Sequence, residues 1–174
     1  MLNVTYIIRD HAVVADDWTL ISAAEDGAAV ALPAGKLIVP LNVWLAQRDA
    51  LLERRQPLGV WLDSHQDPAE LADAISRFAV IGVNFPKFAD GRGYSIATLL
   101  RSRYGFKGEL RAIGDVLRDQ LFYMQRVGFN AYAVRADKDI HDAFKALKDF
   151  SVTYQGSVDQ PVPLFRRRRI PEAA

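Results

Sequence analysis

Residues 79–84 read Ala79-Val80-Ile81-Gly82-Val83-Asn84, and residues 109–113 read Glu109-Leu110-Arg111-Ala112-Ile113. Both runs are short and apolar, as buried strands are. Between them lies an amphipathic segment that Ser95 can cap and Gly105 can end. Strand, helix and strand at this spacing predict a βαβ unit, the building block of a parallel sheet.

The same rhythm continues on both sides of this unit, with strand starts about 20–30 residues apart. The predicted strands are Leu37–Pro40, Gly59–Leu62, Ala79–Asn84, Glu109–Ile113 and Ala131–Arg135, with a sixth candidate at Ser151–Tyr154. The predicted helix starts are Asn42, Asp67 followed by Pro68, Ser95, Asp115, and either Asp137 or Asp139.

Alternating strands and helices predict an α/β fold with a mainly parallel sheet of five or six βα units. A complete eight-fold barrel needs roughly 200 residues or more, so 174 residues favour an open sheet or an incomplete, TIM-like barrel. Such a barrel leaves a sheet edge, which a homodimer would cover. We predict one domain over residues 1–160, followed by a basic tail over 161–174. Within it, residues 1–34 form an N-terminal β extension and 35–155 the βα units.

Composition limits the classes of binding partner and the cellular compartment that we expect for this chain. A net charge of +1 disfavours a general nucleic-acid binder, and we interpret the run Arg166–Arg169 as a solvated tail. The lack of cysteine excludes thiolate nucleophiles and cysteine-ligated clusters, and it fits a reducing compartment. The three histidines lack metal-ligand spacing, so no metal site is predicted. No apolar run approaches the ~18 residues of a membrane span. We expect a cytoplasmic protein without membrane contact.

Ligands of parallel α/β folds bind beyond the carboxyl ends of the strands. The longest segment at such an end is 84–95. Its glycines, such as Gly93, would let the backbone approach a ligand, and the amides of a helix starting at Ser95 would receive an anion beside Lys87 and Arg92. The pattern therefore predicts a site for a sulfate, sulfite, phosphate or carboxylate group. The alternative is an ordered loop whose glycines only serve turns.

The segment 114–119 is the second candidate. Asp115 on its own is best interpreted as a helix cap. Arg118 lies in the first turn, where a cation opposes the helix dipole. We therefore expect either an acidic neighbour, Asp90 or Asp115, or a bound anion to compensate it.

Site residues follow from these two segments. The predicted catalytic candidates are Asp90, Asp115, Asp119 and Tyr94. The predicted ligand-binding residues are Asn84, Lys87, Arg92, Gly93, Ser95 and Arg118. A carboxylate acts as an acid near neutral pH only if burial or a like-charged neighbour raises its pKa. No nucleotide-cofactor fingerprint is present; the cofactor is unknown, and a non-covalent flavin remains open.

Two motifs carry a family resemblance: Asn84-Phe-Pro-Lys-Phe-Ala-Asp-Gly-Arg-Gly-Tyr-Ser95, and Gly108-Glu-Leu-Arg-Ala-Ile-Gly-Asp-Val-Leu-Arg-Asp-Gln-Leu-Phe-Tyr123 followed by Gly128-Phe129. Over roughly residues 35–150 the chain resembles a bacterial family of unknown function, numbered nine-three-four in domain collections. The resemblance implies an oxidoreductase linked to sulfite reduction, on the basis of genomic company with sulfite reductase. It implies a process and supplies no catalytic residues.

Two hypotheses follow. The first is a protein of assimilatory sulfur metabolism that binds a small anion at the strand ends, as an enzyme if the carboxylates act on that anion. The second is a non-catalytic accessory or docking protein of the sulfite reductase system, whose two motifs form an exposed recognition surface. A concave pocket would favour the first, and a flat charged surface would favour the second.

Overall fold

The computed structural model of the chain describes residues 5–22 and 30–167. Residues 1–4 and 23–29 of the predicted N-terminal β extension and residues 168–174 of the predicted tail lie outside the described residues. None of the described helices combines the length and the apolar character that crossing a membrane requires.

Eight strands and six short α-helices make up the described fold. The strands are β1 (Tyr6–Arg9), β2 (Ala12–Ala15), β3 (Trp18–Leu20), β4 (Lys36–Pro40), β5 (Leu58–Leu62), β6 (Val80–Phe85), β7 (Glu109–Gly114) and β8 (Ala131–Tyr132). The α-helices are α1 (Leu41–Ala46), α2 (Arg48–Leu52), α3 (Arg92–Ser102), α4 (Leu121–Arg126), α5 (Ile140–Lys145) and α6 (Leu164–Arg167). Single 3₁₀ turns occupy Pro68–Leu71, Ile75–Arg77, Arg118–Gln120 and Ala146–Lys148.

All eight strands form one sheet in the order β2-β1-β8-β7-β6-β5-β4-β3. Strands β3 to β8 run parallel and lie side by side in chain order, whereas β1 is antiparallel to both its neighbours. The two edge strands, β2 and β3, are separated in the chain only by Asp16 and Asp17. Three Cα–Cα steps reach at most about 11 Å, so the two edges approach each other there. The sheet is therefore curled into a half-barrel.

Burial on both faces explains why the central strands are continuous apolar runs. Leu110 and Ala112 of β7 belong to the main core, together with Val60, Ile81 and Leu100. Because consecutive strands are neighbours and crossovers are right-handed, the connecting segments lie on one side of the sheet, and this core fills the space between.

The inner side of the curl holds a buried arginine. Arg111 alternates with Leu110 and Ala112 and is 2% exposed. Its Nε donates to the Glu109 carboxylate at 2.6 Å, and its Nη1 donates to the Asp16 carboxylate at 2.9 Å. Asp16 sits at the junction of β2 and β3, so this pair fastens the sheet edges to the central strand β7.

The α/β class and the mainly parallel sheet are confirmed, but the strand count is not the predicted five or six, and a TIM-like barrel is not confirmed. The N-terminal residues supply three of the eight strands, and β3 belongs to the parallel part. Ser151–Tyr154 is not a strand; the segment is irregular, and Arg126 donates to the Thr153 hydroxyl and to the carbonyl of Gln155, which follows the segment. The division into a domain and a tail stays a prediction.

Three predicted helix caps are wrong. Asn42 lies inside α1, whose N-cap is Pro40. Ser95 lies inside α3, which starts one turn earlier with Gly91 as its N-cap. Asp115 does not cap α4, because a 3₁₀ turn precedes that helix and the carboxylate bonds a neighbouring loop instead. Asp67 and Asp139 do cap, accepting amide hydrogen bonds from Ala69 and from His141, respectively.

Candidate functional site

Strands β6 and β7 end side by side, with Phe85 in register with Gly114. The amide of Asp115 donates to the Phe85 carbonyl at 2.7 Å, which joins the two strand ends. The segment Pro86–Gly91, called the rim loop here, therefore emerges next to Asp115 at the carboxyl edge of the sheet. The two predicted segments share one edge.

The rim loop is held from both sides of Phe88. The Phe88 amide donates to the Asp115 carboxylate at 2.9 Å, and the Phe88 carbonyl accepts from Gln120 Nε2 at 3.4 Å. The Asp90 amide closes the turn on the Lys87 carbonyl at 3.0 Å. The Phe88 side chain itself is 52% exposed. The loop thus displays an aromatic ring on a fixed backbone.

Asp90 and Arg92 form a bidentate ion pair, in which Nε and Nη2 of Arg92 lie 2.9 and 2.7 Å from the two carboxylate oxygens of Asp90. Ser64 donates to the same carboxylate at 2.8 Å and accepts from Arg92. The Arg92 guanidinium, helped by the Ser64 hydroxyl, holds the pKa of Asp90 far below its usual range. Asp90 is consequently charged at neutral pH and is a poor proton donor. Its carboxylate also accepts the Arg92 amide, so it occupies the anion position at the start of α3.

A second set of contacts surrounds Asp63, which follows β5. Its carboxylate accepts from the Asn84 side chain at 3.1 Å and lies 3.4 Å from His65 Nδ1. Asn84 is thereby turned toward the neighbouring strand end. Along with Ser64, these contacts link the carboxyl ends of β5 and β6.

A third set of contacts lies beyond the carboxyl end of β8. Arg135 bridges Asp115 and Asp137, with nitrogen–oxygen distances of 2.7 Å to Asp115 and 2.6 Å to Asp137. The hydrogen bond from Arg135 lowers the pKa of Asp137 to about 2, and the two carboxylates raise the pKa of Arg135. Asp115 therefore connects the rim loop to the β8 end through its two oxygens.

Three predicted residues of α3 serve other contacts. A Cβ on Gly93 would lie 2.7 Å from the Phe85 ring, so this glycine permits close helix–strand packing. Tyr94 packs its ring on Phe85 and Tyr123 with centroids 5.2 and 5.1 Å away, and burial raises its pKa. Ser95 is exposed on the outer side of the helix. Tyr94 still borders the rim loop, because its amide donates to the Gly91 carbonyl at 3.2 Å, but its ring is used for packing.

Arg118 does not join the rim. It lies 3.3 Å from Asp142 and 3.3 Å from Asp149, so the expected acidic compensation comes from α5 and the residues after it, and not from Asp90 or Asp115. Asp119 is exposed. Lys87 is exposed, and within residues 5–22 and 30–167 its side chain has no hydrogen-bond or ion-pair partner.

The structure adds residues that the predicted set lacked: Phe88, Gln120, Ser64 and Arg135. Arg135 and Ser64 stand at strand ends, so the carboxyl-end rule alone already pointed to them. An aromatic residue in a polar loop was the available signal for Phe88. Gln120 carried no signal, because its role depends on how the 3₁₀ turn faces the rim loop.

The charged side chains around the rim loop mostly form ion pairs with one another. The arginines among them, Arg92 and Arg135, already bond carboxylates, and within the part of the chain that the structure describes no group of three His, Asp or Glu side chains could hold a metal ion. Such an arrangement fixes loops in place; the groups exposed on the rim loop and next to it include the Phe88 ring, the Lys87 ammonium and the Arg92 side chain.

The chain belongs to the family described as bacterial protein of unknown function (DUF934), whose model matches residues 59–165. The match covers well over half of the 174 residues, starts later than the predicted residue 35 and continues past residue 150. No curated protein and no solved structure matches the chain.

Proposed function

We propose that this chain is a non-catalytic docking protein of the sulfite-reducing machinery and that the rim loop is its recognition element. One observation carries the proposal: Phe88 is half-exposed while both its amide and its carbonyl are fixed by side chains of the neighbouring segment. The sulfite-reducing setting, assimilatory sulfur metabolism, comes from the family resemblance, and the cytoplasmic location is the one expected from composition.

The physical reason is preorganisation. Aromatic anchors in the centre of an interface supply much of the binding energy, and binding costs less when their loop is already ordered. The Asp90–Arg92 and Asp115–Arg135 pairs supply that order. Lys87, next to the ring, adds a positive charge that favours a carboxylate on the partner surface.

Phe88→Ala is expected to weaken binding to purified sulfite reductase of the same organism by about thirtyfold, or about 2 kcal/mol, without changing the melting temperature of the free chain. The half-exposed ring makes little contact with its own core, so folding should not depend on it. Isothermal titration calorimetry measures the affinity.

Tyr6→Ala is the matched control, because Tyr6 is 54% exposed, close to the 52% of Phe88, and lies on β1. This variant should bind sulfite reductase like the wild type. Equal affinity of the Phe88 variant and the wild type would refute the role of the rim loop, and no binding by the wild-type chain would refute the docking function itself.

A second candidate is the binding of a small anion of the sulfate, sulfite or phosphate type at the same edge. It is favoured by two observations: Lys87 has no side-chain partner among the described residues, and the Arg92 side chain is 60% exposed despite its pair with Asp90. An anion could bridge these two cations.

On this second hypothesis, sulfate, sulfite or phosphate at ~100 times its dissociation constant stabilises the chain by about 2.7 kcal/mol, measured as a thermal shift. The shift should vanish in Lys87→Ala and Arg92→Ala and persist in Phe88→Ala. An unchanged melting temperature with all three anions eliminates this candidate and leaves the docking proposal standing.

A further inference from the structure

A second surface, distant in sequence from the rim loop, exposes a group of large apolar side chains. Six of the ten exposed large apolar residues in the described ranges lie on α4 and on the segment that follows α5, and five of these six, all except Val162, are grouped here. They are Tyr123, Phe150, Val152, Tyr154 and Phe165, and together they are called the aromatic face. The Phe165 ring packs on Tyr154 with centroids 6.5 Å apart, and Phe150 packs on Phe122 at 4.9 Å.

The aromatic face borders a long depression. A groove of about 430 Å³ is lined by Phe150, Val152 and Tyr154. A neighbouring groove of about 830 Å³ shares Gly156 and Ser157 with it and extends to Lys107. The two grooves therefore adjoin each other at Gly156 and Ser157, and an extended or helical peptide could run along both.

The groove walls are mostly apolar, and the two guanidinium groups in them are already used. Arg101 donates to the carbonyls of Phe106, Gly108 and Gly128. Arg126 bonds Asp159 at 2.9 Å and the main chain of Gln155. Arg126 holds the segment that follows α5 against α4, whereas Arg101 joins α3 to the main chain before β7 and before β8. Both guanidinium groups therefore have little capacity left for a ligand.

Among the described residues, a cation without an ion-pair partner lies beside each of the two grooves. Lys107 is exposed beside the larger groove. Arg166 stacks on Phe165 next to the smaller one, and neither Arg166 nor Arg167 forms an ion pair within the described residues. The sequence continues with two more arginines, Arg168 and Arg169. A ligand that fits this pattern carries apolar side chains in its middle and carboxylates at its ends.

We propose that the aromatic face and its groove bind an acidic peptide segment of a protein partner, with apolar anchors in the groove and carboxylates against Lys107 and Arg166. A nucleic acid is less suited, because its phosphates need free cations along the groove. An anionic membrane is less suited, because a concave surface cannot insert into it. A second copy would bring two surfaces of the same positive sign together.

The test is a selection of displayed dodecapeptides on the wild-type chain, followed by fluorescence anisotropy with the selected peptides. We expect aspartate or glutamate flanking aromatic or aliphatic residues, and an affinity that falls as salt rises. Val152→Glu should weaken binding by at least about tenfold, because it places a carboxylate in the groove. Arg166→Glu should weaken it several-fold.

Leu45→Glu, on α1, is the control for a charge added at an exposed apolar position (Leu45 is 47% exposed) and should leave binding unchanged. Phe88→Ala should also leave it unchanged, which separates this surface from the rim loop. The proposal is overturned by selected peptides without acidic residues, or by binding that Val152→Glu does not reduce. It is also overturned by tighter binding of oligothymidylate or of phosphatidylglycerol vesicles, or by a concentration-dependent dimer that Val152→Glu abolishes.

Discussion

Arg111→Met is expected to lower the free energy of unfolding by about 3–5 kcal/mol, because it leaves the Asp16 carboxylate without its cation and leaves Glu109 only the longer contact with Arg9 at 3.6 Å. The Asp16 and Glu109 side chains are only 14% and 11% exposed, and Arg111 is the closest cation to both. Chemical denaturation followed by circular dichroism measures the loss.

Arg77→Met, at an exposed arginine, is the control and should change stability by no more than about 0.5 kcal/mol. Adding Asp16→Asn and Glu109→Gln to the Arg111 variant should recover part of the loss, since no carboxylate then remains uncompensated. A cost below about 1 kcal/mol for Arg111→Met alone would show that these carboxylates are solvated and that the pair does not fasten the sheet edges.

Gly114→Ala is expected to cause the second large loss of folding stability. Gly114 ends β7 with φ at 91°, and an added Cβ would lie 2.4 Å from Asn84 Oδ1 and 2.5 Å from the Phe85 carbonyl oxygen. Backbone strain costs about 1–3 kcal/mol, and overpacking against main chain costs a further ~1–3 kcal/mol. Because β6 and β7 would have to separate at this point, the rim loop should also lose its fixed geometry.

Gly35→Ala separates the two costs. Gly35 has φ at 103°, and a Cβ there would meet nothing within 4 Å, so only backbone strain applies. The difference between the two variants in urea denaturation gives the steric part. Equal destabilisation by both substitutions would contradict the close approach of Gly114 to the β6 end.

The sequence predicted the regular part of the fold well. The apolar runs that became β4 to β7 are buried on both faces, so the residues inside them had to be apolar or glycine, with Arg111 as the fully buried exception. The other polar residues of these strands, Lys36, Asn84 and Glu109, stand at or next to a strand end. Asp67 and Asp139 were recognisable caps because capping depends on local geometry.

Other features depended on contacts between distant residues. β2 and β3 contain nothing that shows they sit at opposite edges of one sheet, because that placement follows from pairing with β1 and β4. Likewise, Asp115 looked like a cap, yet it accepts from Phe88, 27 positions away in the chain.

The two segments that carry the predicted site do meet at one edge of the sheet, but the sequence could not show how their charges pair. Parallel strand order places the ends of β6 and β7 together, so the rim loop and Asp115 follow from topology. Whether Arg92 stays available for a ligand or bonds Asp90 and Ser64 depends on side-chain geometry. Helix phase likewise turned Tyr94 into the packing between α3 and α4.

Amide hydrogen exchange of the chain, free and bound to sulfite reductase, tests the docking proposal most directly. Slower exchange over the peptide that contains Pro86–Gly91, with slowing also around Asp115–Gln120, is the predicted result. A complex that forms while exchange in both segments stays unchanged would contradict the account, since the partner would then be held elsewhere on the protein.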